Sequence, residues 1–98
     1  MMVKLDLNQR PFQAQFSSLD NENTLAFRNL IRKLLSLEWN QVYQDAGLNW
    51  ELIRGQPKNA EPRLYSIRVT KKCRAVVSRD GAIMRFHGLF PDHDGAYS

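Results

Sequence analysis

The fold is decided by Leu64-Tyr65-Ser66-Ile67-Arg68-Val69-Thr70-Lys71-Lys72-Cys73-Arg74-Ala75-Val76-Val77-Ser78-Arg79-Asp80-Gly81-Ala82-Ile83-Met84-Arg85-Phe86-His87-Gly88. Tyr65, Ile67 and Val69 alternate with Leu64, Ser66 and Arg68, which puts the two sets on opposite faces of a strand. Thr70-Lys71-Lys72 reads as a short turn and Cys73–Ser78 as the returning strand. Arg79-Asp80-Gly81-Ala82 carries the strongest hairpin signal in the chain. Asp-Gly accepts the positive φ angles of a type I′ turn, whose twist matches that of the strands it joins. Ile83–Gly88 is then the third strand of an antiparallel meander, and Pro91 ends regular pairing.

Upstream of the meander the period is different. Val3–Leu7 alternates as a short first strand, which Arg10-Pro11 breaks. Phe12, Phe16 and Leu19 share one face of a short helix. Asp20-Asn21-Glu22-Asn23 supplies side-chain oxygens to cap a second helix from about Glu22 to Ser36. In that helix Phe27, Leu30, Ile31, Leu34 and Leu35 form the apolar stripe, while Val42, Tyr43 and Ala46 extend the pattern towards a stop at Gly47. Trp50 and Leu52 alternate with charged neighbours, and residues 55–62 form a polar loop. The sum is a two-layer α+β domain over residues 1–98: an N-terminal strand and helical hairpin on a small, mainly antiparallel sheet. The other sheet face stays open, and Arg68, Arg74, Arg85 and His87 fall among the positions that share it if the registers hold.

The 98 residues suffice for one domain. No stretch approaches the roughly 18 apolar residues of a membrane span, and the N-terminus lacks the pattern of a signal peptide. Cys73 is the single cysteine, so an internal disulfide and a multi-cysteine zinc site are excluded. A cytoplasmic protein is expected.

Charge is unevenly spread. Residues 1–53 sum to −1 and residues 86–98 to −2, whereas residues 54–85 carry nine basic side chains against two acidic ones, a balance of +7. The nine are Arg54, Lys58, Arg63, Arg68, Lys71, Lys72, Arg74, Arg79 and Arg85. Such a block suits a polyanion-binding surface; a solvated, arginine-rich sheet face is the plain alternative.

The catalytic inventory is short. His87 closes a strand; as a general base it needs a neighbour, as a sheet-face residue it needs none. His93 stands between Asp92 and Asp94, four residues before Tyr97. Flanking carboxylates raise a histidine's pKa, which suits a group holding a proton near pH 7; a solvated tail histidine is what spacing alone favours. Adjacent acidic residues and one histidine do not converge on a metal unaided, so no metal or cofactor is expected. Cys73 reads as a strand residue, and Trp39 and Trp50 as core or interface residues. What the residues allow together is metal-free RNA self-cleavage. Arginines hold the phosphate while a tail histidine and tyrosine serve the 2′-hydroxyl and the leaving oxygen.

Three segments resemble toxins of the RelE/ParE superfamily. Gly47-Leu48-Asn49-Trp50-Glu51-Leu52-Ile53-Arg54-Gly55 is similar to the segment preceding their meander. Leu64–Val69 with Cys73–Val77 resembles their tyrosine-x-isoleucine-arginine-valine and tyrosine-arginine strand pair, and Asp92–Tyr97 their closing histidine-aspartate-x-x-tyrosine. The resemblance implies a RelE-like fold and a bacterial type II toxin held by a cognate antitoxin. Its histidine and tyrosine belong to the RelE-like branch, which cuts mRNA on the ribosome and so stops translation. The alternatives are a ParE-like inhibitor of DNA gyrase and a non-catalytic binder of RNA or antitoxin. On this resemblance Arg74 holds the transition-state phosphate, Arg68 contacts RNA, His93 transfers the proton, and Tyr97 stacks on a base or orients the 2′-hydroxyl. Glu51 is a candidate carboxylate partner. Lys71, Lys72, Arg79, Arg85 and Arg54 are expected to contact RNA. Trp39, Tyr43 and Phe90 are candidates for an apolar rim that receives the antitoxin.

Overall fold

A computed structural model of the chain describes residues 1–91. Its elements are β1 (Lys4–Asp6), α1 (Arg10–Ser17), α2 (Asn21–Leu35), α3 (Trp39–Gln44), β2 (Glu51–Leu52), β3 (Tyr65–Arg68), β4 (Arg74–Asp80) and β5 (Ile83–Phe90). They build one five-stranded sheet in the order β1-β5-β4-β3-β2, in which β1 runs parallel to β5 and every other pair is antiparallel. The meander β3-β4-β5 is as the period-two reading and the Asp80-Gly81 turn require, and Gly81 has φ +60°.

The core lies between this sheet and the helices. Phe12 of α1, Phe27, Leu30 and Leu34 of α2, and Trp39 and Val42 of α3 bury against Ile67, Ala75, Val77, Met84, Phe86 and Leu89. Each large apolar side chain so buried contributes about 1.5–3 kcal/mol. The Asp20 carboxylate accepts from the Asn23 N–H at 2.8 Å, capping α2, while Arg32 and Lys33 stand in its last turn.

The expected continuation of this helix to Gly47 is replaced by a break. α2 ends at Leu35, and Glu38 opens a separate helix with a capping box to Gln41. The break is held from the N-terminus: Met2 bridges Glu38, and the Trp39 N–H donates to the Met1 carbonyl. The chain is thereby redirected so that the Trp39 indole enters the core, where its Nε1 donates to the Ala82 carbonyl at 2.9 Å.

Two features position the open face. A register shift pairs Val76 with Gly88 but Val77 with Phe86, so His87 is the extra residue of a bulge. Second, β1 pairs with β5 only as far as Arg85, and α1 packs against β5. The Gln15 Oε1 there accepts from the Leu89 N–H at 2.9 Å, satisfying an edge donor that lacks a strand partner.

Candidate functional site

The sheet face opposite the helices is built from alternate residues of β3, β4 and β5. Its cross-strand neighbours are Arg68 with Arg74, Ser66 with Val76, Ser78 with Arg85, Val76 with Gly88, and Arg74 with Phe90. The expected sharing of one face by Arg68, Arg74 and Arg85 follows from these registers, and the bulge adds His87 beside Ser78.

Arg74 is the most constrained cation of the face, only 3% exposed. Its Nη2 donates to Ser66 Oγ at 2.9 Å and to the Asn49 carbonyl at 3.3 Å. Asn49 presents that carbonyl from a left-handed backbone (φ 51°), a conformation asparagine tolerates better than most residues. The Glu51 carboxylate stands 4.0 Å from Nη2 and is itself half exposed. Arg74 Nε is buried with no hydrogen-bond partner among the described residues. A buried charged donor left unpaired costs more than the roughly 1–3 kcal/mol of a neutral one, so the site favours an added acceptor.

Ten ångströms or so along the strands, by the rise per residue, a second polar group occupies the same face. His87 Nε2 lies 2.7 Å from Ser78 Oγ. Burial pushes the imidazole below its ordinary pKa, the Arg85 guanidinium adds to the shift, and Asp6 opposes it. Arg85 Nε donates to Asp6 Oδ2 at 2.7 Å and its Nη1 is 3.8 Å from Asp80. That bond, with the Asn8 N–H, holds the Asp6 carboxyl below the usual range. Arg85 is therefore committed to two carboxylates.

Between the two polar groups lies a cleft of about 330 Å³ lined by Pro11, Gln15, Ile53, Leu64, Val76, His87, Gly88 and Phe90.

The other expected RNA contacts scatter. Arg68 is exposed and lines a groove with Asn29, Lys33 and Gly47. Lys71 and Lys72 are exposed beside Asp20, Glu22 and Pro91, and Arg54 is exposed. Arg79 lies away from the Arg74–Phe90 end of the sheet. Its guanidinium sits 4.3 Å from the Trp39 ring centroid, with Nη1 donating to Tyr43 Oη at 2.7 Å and Nε to the Gly81 carbonyl at 2.8 Å. Trp39 is not part of an exposed rim: at 1% exposure it is core, whereas Tyr43 is exposed and Phe90 half-buried. His93 and Tyr97 lie outside the described residues. Among the described residues no group of three or more His, Cys, Asp or Glu side chains is placed to hold a metal, and no helix is long and apolar enough to cross a membrane.

Sequence reasoning missed the supports. Ser66, Asn49, Ser78 and Gln15 each fix a neighbour that it did single out or a strand edge that it did not. For Ser66 the signal was present in its alternation with Tyr65 and Ile67; for the others only the fold supplies it.

No family model matches the sequence, and no curated protein matches it. Among solved structures the chain is similar to a copper-bound mutant toxin from Helicobacter pylori, at a TM-score of 0.56 and 17% identity. The match covers 96% of this chain and 98% of that one. At that identity the likeness is one of fold: this chain has the fold of that toxin.

Proposed function

We propose that the chain is the toxin of a toxin–antitoxin pair and acts as a ribosome-dependent mRNA endoribonuclease. The fold shared with a Helicobacter toxin supports the first half. The second rests on one observation: Arg74, buried on an open sheet face within the basic segment, keeps an unpaired Nε–H. A phosphate oxygen is the acceptor that such a donor fits.

The reaction is transesterification. A 2′-hydroxyl loses its proton, its oxygen bonds to the adjacent phosphorus, and the bond to the 5′-oxygen breaks as that oxygen takes up a proton. The products are a 2′,3′-cyclic phosphate and a 5′-hydroxyl end, with no water, metal or cofactor in the balance. Arg74 stabilises the charge that grows on the non-bridging oxygens. His93 carries the proton and Tyr97 orients or stacks on the nucleotide. Arg68, Lys71, Lys72 and Arg54 hold the backbone of mRNA or ribosomal RNA. Arg85 and Arg79 contribute charge from their paired positions.

The cognate antitoxin is a protein that covers this face, and the chain works in the cytoplasm where its ribosomes are. The test is expression in a bacterial host, alone and with the neighbouring reading frame, while protein, RNA and DNA synthesis are followed. Protein synthesis stopping first, with relief by the neighbour and by His93→Ala or Tyr97→Phe, is expected. A DNA-damage response with intact mRNA would instead identify a gyrase inhibitor.

A further inference from the structure

The cleft beside Arg74 has the form of a binding site that no step of the cleavage chemistry uses. Its floor is Val76 and Gly88, paired across β4 and β5, and Phe90, Pro11, Ile53 and Leu64 give it apolar sides. Two polar side chains border it, Gln15 and His87. Apolar walls with a few fixed polar groups are what a planar, heteroatom-edged ligand requires.

The walls are held rigid by polar side chains behind them. Gln56 staples Ile53 to Leu64: its Nε2 donates to both carbonyls, at 2.6 and 2.9 Å, and its Oε1 accepts from the Leu64 N–H at 2.7 Å. Gln15 is fixed by Leu89, and the His87 ring by Ser78. After these bonds Gln15 Nε2 and His87 Nδ1 have no partner among the described residues. Gly88 keeps the passage narrow but open, since a Cβ there would come within 3.1 Å of Gln15 Oε1 and 3.3 Å of the Phe90 ring. Preorganised groups of this kind save the ordering cost that binding otherwise meets.

We propose that this cleft is a nucleobase slot: one base of a bound RNA strand inserts between Phe90, Pro11 and the Ile53–Leu64 wall, and Gln15 and His87 hydrogen-bond its edge. The spacing supports it. Gly88 lies two residues along the sheet and one strand across from Arg74, about 8 Å by strand geometry, so a phosphate at Arg74 leaves its nucleoside within reach of the slot. Burial and then Arg85 lower the His87 pKa, which favours the neutral ring, and that ring offers a base either a donor or an acceptor according to its tautomer. Gln15 and His87 would then set which base the site prefers. This inference rests on the RNA reading of Arg74 and adds a specificity pocket to it.

The test uses the full chain and a 2′-O-methyl trinucleotide, which cannot be cleaved, beside the same trinucleotide with an abasic central residue. Calorimetric titration is paired with NMR of the Gln15 side-chain amide and the His87 ring. The intact strand is expected to bind at least about fivefold tighter than the abasic one, the range of a single stacked base. Only the intact strand should shift the Gln15 and His87 signals, and Val76→Phe, which fills the floor, should erase the difference. Equal binding of both strands would overturn the slot while leaving Arg74 as a phosphate site, provided that Arg74→Met abolishes that binding. Failure of both strands to bind would overturn the slot and the RNA reading together.

Discussion

Arg74 Nη2 donates to Ser66 Oγ across a diagonal of the β3–β4 pair at 2.9 Å, while the residue directly opposite Arg74 is another arginine, Arg68. Like charges opposed on one sheet face are destabilising. Ser66 and Asn49 draw the Arg74 guanidinium into the sheet, and the exposed Arg68 is left to solvent. An arrangement of two cations and one unpaired buried donor is satisfied by an anion.

Inorganic phosphate or sulfate is therefore expected to stabilise the free protein. Ligand at about 100 times its Kd adds about 2.7 kcal/mol, which is more than ten degrees of Tm for a chain of this size. Thermal melts over rising phosphate concentration check it, with chloride at matched ionic strength as control. Arg74→Met should lose the phosphate-dependent part.

Glu51 competes with such an anion, because its carboxylate sits 4.0 Å from Arg74 Nη2 and is half exposed. Glu51→Gln is expected to tighten RNA binding a few-fold, as removal of a nearby like charge to the phosphate requires. Fluorescence anisotropy with a labelled RNA measures this. Unchanged affinity with cleavage reduced a hundredfold would make Glu51 a participant in the chemistry instead.

Arg79 is expected to act on stability. Its contacts to Trp39, Tyr43 and the Gly81 carbonyl tie α3 to the β4–β5 turn. Arg79→Ala should cost about 1–2 kcal/mol through the lost cation–π contact and hydrogen bonds. Urea titration reads the loss, and RNA affinity should fall less than in Arg68→Ala, where an exposed cation is removed.

Stability should decline in two steps as pH falls. His87 has a folded pKa below the ordinary 6.5, so as pH falls below that value the unfolded chain takes up the proton first; stability falls until the folded form is protonated too, and the loss then stays constant. Asp6 is held down by Arg85 and Asp45 by Lys33, so their contributions are complete above about pH 4 and are lost as pH falls through their lowered folded values. Urea midpoints between pH 8 and 3 check this. His87→Gln should flatten the first step, and Asp6→Asn should reduce the second while lowering stability at neutral pH.

The meander was legible because period two and Asp80-Gly81 act locally, through side-chain alternation and turn sterics. The core stripe Phe27, Leu30 and Leu34 was legible for the same reason at helical spacing. What sequence could not give depends on partners distant in the chain. The end of α2 at Leu35 needs Met1 and Met2 beside Glu38, and the parallel pairing of β1 with β5 joins residues almost 80 positions apart. In the site, the arginines were readable as a basic block, but nothing local distinguished buried Arg74 from Arg79, which ends on an indole, or Arg85, which ends between two carboxylates.

The most direct measurement is to mix the purified chain with ribosomes programmed with a defined mRNA and to map the new RNA ends. Free mRNA and the Arg74→Met and His93→Ala variants run alongside. The predicted result is cleavage within the A-site codon that leaves 2′,3′-cyclic phosphate and 5′-hydroxyl ends, absent on free mRNA and reduced at least a hundredfold in both variants. Intact mRNA at saturating ribosome-bound protein, or cleavage undiminished by Arg74→Met, would contradict it.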